Sequence, residues 1–257
     1  MDDASNEDRR KELSDAFPGF RFLRNESRQL LAGSRNAGAS ASKGDYLFFL
    51  DDDNVIDKDS IGFLARQLGR AESVAVSCPI IYYLSRPEEV WTSSILRNTV
   101  FPGFYKLHKE VPIAGTTAKT FAFHNSFMVK RTVFDELCGF DSATFPIRFG
   151  EVDFAHRLQA RGYVALVVPE AKVWHDLGWQ MAHVDSTRAY YTERNRIIVV
   201  KKYFSRRDFV FYCFSILPFI TGYLLVHHFI AANDGRLRAA SGLLRGVAAG
   251  LAFHEQR

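Results

Sequence analysis

The sequence predicts an α/β fold with hydrophobic helices at its C-terminal end, and three observations support that prediction. Short apolar runs alternate with stretches of helical pattern between residues 46 and 168, as strands and helices do in a layered α/β domain. One apolar run, Tyr46–Leu50, ends directly in three consecutive aspartates. Residues 209–232 contain no Asp, Glu, Lys or Arg, so this segment differs in kind from the rest of the chain.

Length and composition allow one packed domain with an appendage and argue against several other classes. The 257 residues are 47% hydrophobic and carry a net charge of +4, with Lys and Arg spread along the chain. Without a dense basic block, nucleic-acid binding has little support, whereas phosphate-bearing substrates and an anionic membrane surface both fit a mild positive charge. Three scattered cysteines without a CxxC pair indicate neither a disulfide framework nor a zinc site. The acidic, polar N-terminal segment does not resemble a secretory signal.

The alternating pattern predicts a series of elements along the chain. Helices are expected at residues 8–16, 60–68, 131–137 and 151–160, and residues 28–42 are expected to form a loop followed by a helix. Strands are expected at residues 46–50, 74–83, 121–130 and 163–168. The first of these strands is apolar throughout, which predicts burial on both faces of a parallel sheet. Pro79 predicts a kink or an edge position in the second strand, and residues 84–120 show no regular pattern.

The C-terminal region has the composition of a membrane segment. A helix of about 20 apolar residues can cross the hydrocarbon core, and residues 209–232 reach that length, although Pro218 and Gly222 interrupt them. A basic cluster before this segment favours a cytoplasmic position for that flank. Its members are Lys201, Lys202, Arg206 and Arg207. Residues 237–253 have the amphipathic pattern of an interfacial helix; the alternative is a buried helical hairpin inside a soluble domain.

The three aspartates that follow the apolar strand are the strongest chemical signal. Open α/β sheets bind ligands at the carboxyl ends of their strands, and packed carboxylates repel one another unless a cation lies between them. Carboxylate oxygens suit Mg²⁺ or Mn²⁺, with a bound diphosphate completing the coordination shell. In an extended chain Asp51 and Asp53 would point the same way and Asp52 the other. The alternative is a solvated turn, which is common for Asp-rich loops.

Further positions carry candidate catalytic or metal-binding groups. Glu151 opens a predicted helix whose dipole favours the ionised carboxylate, so it is a candidate general base; the alternative is helix capping. Asp153 lies four residues before Arg157, which predicts an ordinary ion pair on the helix surface. His175 follows the last predicted strand and is either a metal ligand or a structural histidine.

Small residues around Arg35 form a candidate anion-binding segment. Over residues 33–38 the backbone amides can approach a phosphate, and the Arg35 guanidinium can bind it. The spacing matches neither a GxGxxG nor a Walker pattern, so this signal is weak by itself.

Taken in order, these elements resemble glycosyltransferase family 2, particularly its rhamnosyltransferase-like members. The family pattern is an acidic DDxS turn, an RNxG helix and a strand ending in DxD, followed by GFD, an EDxD helix start, R, GY, P and H. The matching positions are Asp2, Asp3, Ser5, Arg35, Asn36, Gly38, Asp51, Asp53, Gly139, Phe140, Asp141, Glu151, Asp153, Arg157, Gly162, Tyr163, Pro169 and His175. A later YY…RN segment is matched by Tyr190, Tyr191, Arg194 and Asn195. The resemblance extends over residues 2–207.

The resemblance implies a GT-A fold, which is a Rossmann-like nucleotide-diphospho-sugar transferase domain, over residues 1–207. A membrane-associated helical region would follow at residues 208–257. The implied reaction moves a sugar from a nucleotide-diphosphate donor to a glycan or lipid-linked acceptor, for cell-surface or lipid-linked glycans. The implied location of the catalytic domain is the cytoplasmic side of a membrane, and no nucleic-acid partner is implied.

The resemblance also assigns roles to the matching residues. Glu151 would be the base that removes the acceptor hydroxyl proton in a single displacement, which inverts the anomeric carbon. The implied cofactor is Mg²⁺ or Mn²⁺, and its implied ligands are Asp51, Asp53 and His175. The residues implied at the nucleotide are Asp2, beside the base or ribose, and Arg35, Asn36, Asp51 and Asp52.

Two departures from the family pattern bear on activity. Gly150 stands where the family has the first acid of its ED pair, which affects the acceptor side but keeps Glu151. The family also has a strand, a helix and a second strand before the DDxS turn, whereas this sequence begins on that turn, so we expect a domain that is incomplete at its N-terminus. The alternatives are a truncated or degenerate protein that binds sugar nucleotides without turnover, a nucleotidyltransferase, and a membrane scaffold whose acids bind Ca²⁺.

Overall fold

The computed structural model describes residues 1–177, 186–231 and 236–254, and its centre is a mixed seven-stranded sheet. The strands are β1 (Tyr46–Leu50), β2 (Asn54–Ile56), β3 (Val74–Tyr83), β4 (Arg86–Thr92), β5 (Ser94–Arg97), β6 (Tyr105–His108), β7 (Ala118–Thr120), β8 (Ser126–Lys130) and β9 (Val164–His175). Strands β5 and β6 form a separate ribbon. The sequence therefore predicted the α/β class correctly.

The described helices begin with α1 (Arg10–Ala16), α2 (Leu30–Ala41), α3 (Ser60–Leu68), α4 (Arg131–Glu136) and α5 (Gly150–Ala160). The later helices are α6 (Ser186–Tyr203), α7 (Arg206–Phe211), α8 (Leu217–Ala231) and α9 (Arg236–Ala252). A π-helical turn, Tyr212–Ile216, joins α7 to α8 without a break, and we call residues 206–231 the apolar helix. The four helices predicted with bounds are confirmed within two residues at each end, and the helix expected within residues 28–42 is α2.

Helices cover both faces of the sheet. On one face, Phe134 of α4 and Phe154 of α5 pack in one cluster with Phe49 and Phe127 of the sheet. On the other face, Leu64 and other residues of α3 pack against strands β3, β8 and β9. Burying aromatic and branched side chains in this way supplies most of the stability of such a layered domain.

Strand β1 lies at the edge of the sheet, in the order β1-β8-β3-β9-β2. It pairs antiparallel with β8, from Tyr46 opposite Lys130 to Leu50 opposite Ser126. The prediction of a parallel strand was therefore wrong. Its apolar run has another cause, because Phe49 packs in the cluster on one face and Phe48 packs against α3 on the other.

Strand β3 is central and pairs with β4, β8 and β9, so the predicted edge position of Pro79 was wrong. The predicted kink is present, because the parallel register with β9 shifts between Pro79 and Ile80. Three residues of β9 bulge there, since Val168 pairs with Pro79 and Lys172 pairs with Ile80. Strand β9 therefore continues to His175 instead of ending near residue 168.

Residues 84–120 contain four strands, although the sequence shows no regular pattern there. Strand β4 continues the sheet from β3, β7 pairs with β9, and β5 pairs with β6. In contrast, the strand predicted at 121–130 begins only at Ser126. Only β7 pairs with a strand that is distant in sequence, whereas β4 and β5 pair with neighbouring strands. These strands are short and mostly not buried, so they lack the alternation of apolar residues by which strands are predicted.

Three helices form the C-terminal region, and α9 packs closely against α6. Glycines spaced four residues apart on α9 permit this contact. A Cβ atom added to Gly242, Gly246 or Gly250 would lie 2.2, 2.3 or 2.9 Å from the backbone oxygen of Ser186, Tyr190 or Arg194, respectively. The apolar helix packs against α6 through Tyr212, Ile216 and Leu217.

Replacing Gly246 with Ala should destabilise this helix packing by about 2–4 kcal/mol, because the new Cβ overlaps the Tyr190 carbonyl oxygen and forces the backbones apart. Gly222→Ala is the matched control, since no atom lies within 4 Å of a Cβ at that position. We expect Gly222→Ala to be neutral or stabilising by up to about 1 kcal/mol, through helix propensity. Urea unfolding of both variants measures the difference, and equal midpoints would contradict the packing of α9 on α6.

Candidate functional site

The candidate site forms where β1 and β9 end and β2 begins, near the start of α5. Strand β2 pairs antiparallel with β9, with Asn54 opposite His175. This register brings Asp53 beside His175, whose Nε2 lies 3.2 Å from Asp53 Oδ2. The backbone N–H of Asp176 also donates to the Asp53 carbonyl, at 2.9 Å. Two residues that are 122 positions apart are thus joined by strand pairing.

The aspartates do not lie along an extended chain. Asp52 and Asp53 form a turn between β1 and β2, so the predicted alternation of side chains was wrong. Asp51 contacts Arg35, whereas Asp53 contacts His175. Asp52 is exposed. The triplet therefore supplies two separate carboxylates to the site, each with its own cationic or imidazole neighbour.

Arg35 of α2 joins the strand end to the candidate base. Its Nη2 donates to Asp51 Oδ1 at 2.8 Å and its Nη1 donates to Glu151 Oε1 at 2.5 Å. The Arg35 side chain is only 8% exposed, and its guanidinium lies 5.8 Å and 5.7 Å from the ring centroids of Phe127 and Phe140. The charges of Arg35 and its two carboxylate partners stabilise one another, because removal of one partner would leave a buried charge uncompensated.

Burial and these contacts shift the pKa values of both Arg35 and Asp51. Burial by itself would lower the pKa of Arg35, but the carboxylates of Glu151 and Asp51 raise it overall. Burial raises the pKa of Asp51, and Arg35 opposes that shift only in part. The guanidinium stays charged, and it provides a fixed positive group between two acids.

Glu151 is held by an unusual helix entry. Arg148 and Phe149 both adopt left-handed backbone conformations, with φ of 63° and 61°, which non-glycine residues adopt only at some cost. Asn195 of α6 stabilises this turn, because its Nδ2 donates to the carbonyls of Ile147 and Arg148 at 2.9 and 3.0 Å. Asn195 therefore helps to position Glu151 in the first turn of α5.

Asp153 is buried and anchors α5 to α6. Its carboxylate accepts hydrogen bonds from Arg157 Nε at 2.8 Å, from Lys202 Nζ at 3.0 Å and from the Tyr203 hydroxyl. The prediction of an ordinary surface pair with Arg157 was therefore wrong, because α6 covers this side of α5. His156, three residues later, stacks on the Tyr203 ring at 4.1 Å and hydrogen-bonds Tyr105 at 2.9 Å.

Replacing His156 with Gln should flatten the acid dependence of stability. Burial lowers the pKa of His156 to about 4, below the value of about 6.5 in an unfolded chain. The unfolded state therefore takes up a proton first as the pH falls, and stability is lost between about pH 6.5 and 4. We expect the wild type to lose about 2 kcal/mol more than the variant between pH 7 and pH 5. Urea unfolding at both pH values measures this, and parallel losses would contradict it.

The sequence predicted Trp91, with other aromatic residues of 84–120, to shape the acceptor site, but it did not single out His124 and Asn125. The Trp91 ring lies 4.6 Å from the His124 ring and 5.0 Å from the His175 ring. Burial lowers the pKa of His124 to about 4, although Glu151 acts in the opposite direction, so its imidazole is neutral. Asn125 donates to Asn54 Oδ1 at 3.2 Å. The polar pair His124-Asn125 just before a buried strand was the one local signal for these residues.

Buried polar atoms at this position lack partners. Among the described residues, His124 Nε2, Asn125 Oδ1, Ser126 Oγ and His175 Nδ1 accept or donate no hydrogen bond. An unpaired buried polar group costs free energy and is often satisfied by a ligand or water. Hydroxyl groups are one ligand chemistry that would satisfy them.

Other predicted site residues lie outside this group. Asp2 accepts hydrogen bonds from Ser5 and from Arg24 Nη1, the latter at 2.7 Å. The Asn36 amide is occupied by the backbone of Phe140, with bonds of 2.8 and 2.9 Å. Asn36 thus joins α2 to the segment before α5, and its role at a nucleotide stays a prediction.

The residues present fit a divalent cation that depends on its substrate for most of its ligands. Asp53 and His175 offer one carboxylate oxygen and one imidazole nitrogen, a donor set that Mn²⁺ accepts. Asp51 is engaged by Arg35. Across the described part of the chain, no three His, Cys, Asp or Glu side chains are grouped closely enough to hold a metal by themselves. Diphosphate oxygens and water would have to complete the shell.

Comparison with known proteins places this chain in a family. Residues 1–138, just over half of the chain, match the family described as Glycosyl transferase family 2. The chain belongs to that family. Its matched region contains Arg35 and the three aspartates, whereas Glu151 and His175 lie beyond it.

One relative of this family 2 glycosyltransferase carries a description that agrees with the assignment. A stretch of 54 residues is 52% identical to a protein from Haemophilus influenzae (strain ATCC 51907 / DSM 11121 / KW20 / Rd) described as an uncharacterized glycosyltransferase. That stretch is 21% of this chain and 18% of the relative.

Two solved structures confirm the predicted GT-A fold. The structure of GalNAc-T7 with UDP, GalNAc and Mn²⁺ superposes with a TM-score of 0.62 at 21% identity, over 78% of this chain and 41% of that chain. The structure of S. aureus TarS 1–349 in complex with UDP-GlcNAc gives 0.54 at 12% identity, over 96% and 70%. At these identities the likeness concerns the fold alone.

Proposed function

We propose that this family 2 glycosyltransferase moves a sugar from a nucleoside-diphosphate donor to a hydroxyl of a glycan or lipid-linked acceptor, with inversion at the anomeric carbon. The observation that carries the proposal is the contact of Arg35 with both Asp51 and Glu151. It joins the candidate base to the acidic end of β1 inside one buried site. Such a site can bind a diphosphate and activate a hydroxyl at neighbouring positions.

Glu151 is the proposed base. The bond from Arg35 uses Glu151 Oε1, so Oε2 can take the acceptor proton. As the acceptor oxygen bonds to the anomeric carbon, the bond between that carbon and the diphosphate oxygen breaks, and the hydroxyl proton moves to Glu151. A single displacement of this kind inverts the anomeric configuration.

Arg35, Asp51, Asp53 and His175 are the proposed diphosphate side of the site. The Arg35 guanidinium is a positive group that can accommodate phosphate oxygens. Mg²⁺ or Mn²⁺, held by Asp53 and His175, would stabilise the negative charge of the leaving diphosphate. The proposed contacts of Asp2, Asn36 and Asp52 with the nucleotide rest on the family pattern.

The apolar helix supports a membrane location, on the cytoplasmic side according to its basic flank. In the part of the chain that the structure describes, one helical segment, Arg206–Val226, is long and apolar enough to cross a membrane. Length and composition alone are weak evidence for a span, because core helices of soluble proteins can meet the same criteria. A membrane location would place the site near lipid-linked or cell-surface acceptors.

Calorimetric titration with UDP, GDP and dTDP, each with and without Mn²⁺, tests the donor site. UDP is the first choice, because the two superposed structures contain UDP or a UDP-sugar. We expect one nucleotide to bind tightly only when Mn²⁺ is present, which would identify the donor class. A folded sample that binds none of them contradicts the proposal. Tight binding without sugar transfer would support the alternative of a protein that binds donors without turnover.

A further inference from the structure

We infer that the apolar helix lies in the plane of an anionic membrane surface, with its exposed side among the acyl chains, and does not cross the bilayer. This inference rests on the membrane association proposed above and specifies its geometry. Composition does not decide between the two arrangements, since Arg206–Val226 is long enough to span. The packing of the helix on the catalytic domain decides between them.

One side of the apolar helix is buried against α6. Tyr212, Ile216 and Leu217 pack on Ile197 and Val200 of α6 in a single apolar cluster. Helix α6 also carries six charged residues, which are Arg188, Glu193, Arg194, Arg196, Lys201 and Lys202. A helix with that many charges does not enter the hydrocarbon core. The first half of the apolar helix therefore lies at the same membrane depth as α6, outside the hydrocarbon core.

The chain also returns to the same side after the apolar helix. Helix α9 runs parallel to α6, because Gly242 meets Ser186 and Gly250 meets Arg194. At its end, the Phe253 carbonyl accepts a hydrogen bond of 2.5 Å from Lys201 Nζ. The end of α9 thus lies beside the residues that precede Arg206. The apolar helix leads from the end of α6 to the start of α9, and α9 lies along α6. If the apolar helix crossed the bilayer, α6 and α9 would have to cross beside it, but the charged side chains of α6 and the arginines of α9 do not enter the hydrocarbon core.

The opposite side of the apolar helix is exposed and strongly apolar. Phe214, Phe219 and Tyr223 are 81%, 76% and 61% exposed. On α9, exposed leucines follow a seven-residue spacing, which places them on one stripe two helical turns apart. These are Leu237, Leu244 and Leu251. Large aromatic and leucine side chains in such numbers mark an interaction surface.

The positive charges on these helices favour an anionic lipid surface as the partner. Four exposed arginines flank the apolar side chains of these helices, which are Arg206, Arg207, Arg238 and Arg245. The one described acid in the apolar helix, Asp208, is engaged by the Ser205 side chain in a capping box. Each basic residue near an anionic leaflet contributes about 1 kcal/mol to binding. A cationic rim around an apolar stripe is typical of helices that lie in the interface.

Depth measurements on the full chain distinguish the two geometries. The variants Phe214→Cys and Tyr223→Cys each carry an environment-sensitive fluorophore on their one exposed cysteine. Their background has Cys138→Ser and Cys213→Ser and keeps Cys78, which is buried. Vesicles of phosphatidylcholine with one quarter phosphatidylglycerol contain lipid-attached quenchers at known depths. Nine residues of helix separate the probes by about 14 Å along the helix axis. Ile113→Cys, an exposed site on the sheet domain, is the unquenched control.

We expect both probes at the same shallow depth, and binding that weakens with salt. Arg206→Gln combined with Arg207→Gln should weaken binding to these vesicles about tenfold or more. Probe depths that differ by about 14 Å would show a crossing helix and overturn the inference, while membrane association would stand. If the protein remains in solution with every vesicle, alone or as a dimer formed through this stripe, the inference and the proposed membrane association both fail. The proposed sugar transfer is measured separately with soluble acceptors.

Discussion

Replacing Glu151 with Gln should lower turnover by about 10²- to 10⁴-fold and leave donor binding nearly unchanged, because the amide cannot accept the acceptor proton. The substitution preserves size, and its amide oxygen can still accept the hydrogen bond that Arg35 donates to Glu151 Oε1. The base is required in the displacement step but not for holding the diphosphate. Turnover is measured as nucleoside diphosphate release, and donor binding is measured by calorimetry.

Glu136→Gln is the matched control for this variant. Glu136 ends α4 and pairs with Arg161 and Tyr163 at the surface, so its replacement should leave turnover unchanged. Unchanged turnover in Glu151→Gln would remove Glu151 as the base. If donor binding falls as much as turnover, the role of Glu151 is to hold Arg35 in place. The effect would then come from the loss of the negative partner of this buried cation.

Replacing Asp53 with Asn should weaken nucleotide binding in the presence of Mn²⁺ at least about tenfold, and change binding without metal little. The amide loses the charge that attracts the cation, but it keeps a polar side chain beside His175, which lies 3.2 Å from the carboxylate. The loss is large because protein donors to the metal are few in this site. Titrations of the same nucleotide with and without Mn²⁺ give the two affinities.

Asp59→Asn is the corresponding control, since Asp59 is an exposed acid next to the same segment and its side chain makes no capping hydrogen bond. We expect this control to bind like the wild type. If Asp53→Asn also binds like the wild type with Mn²⁺, the aspartate triplet is a structural turn, and the proposed cation site is wrong. A drop of equal size with and without metal would mean that Asp53 acts on the nucleotide without a cation.

Local sequence was sufficient to predict most helices and the acidic strand end. Apolar residues repeat with a helical period in α3 and α5, and Gly162 ends α5 with φ of 81°, as expected of the residue that follows a helix. The run Tyr46–Leu50 and its aspartates are also local features, since bulky apolar residues favour strands and aspartates favour the turn that follows. These signals depend on neighbours within a few positions.

Strand pairing and burial were not predictable in the same way. The antiparallel partner of β1 is β8, about 80 residues later, and nothing within Tyr46–Leu50 distinguishes that partner from a parallel one. The surface pair predicted for Asp153 is buried, because α6 returns over α5 from about 50 residues away. Local periodicity does not report which element covers which face.

The sequence by itself determined the family, the α/β class, the identity of the candidate acids and the existence of an apolar helix, because these follow from residue types and their order. Tertiary structure alone decided that Arg35 joins Asp51 to Glu151, that Asp53 meets His175, and that α9 returns beside α6. Each of these contacts links residues that are 16 to 122 positions apart. Such contacts depend on sheet register and helix packing, which arise only when distant elements bury their apolar faces together.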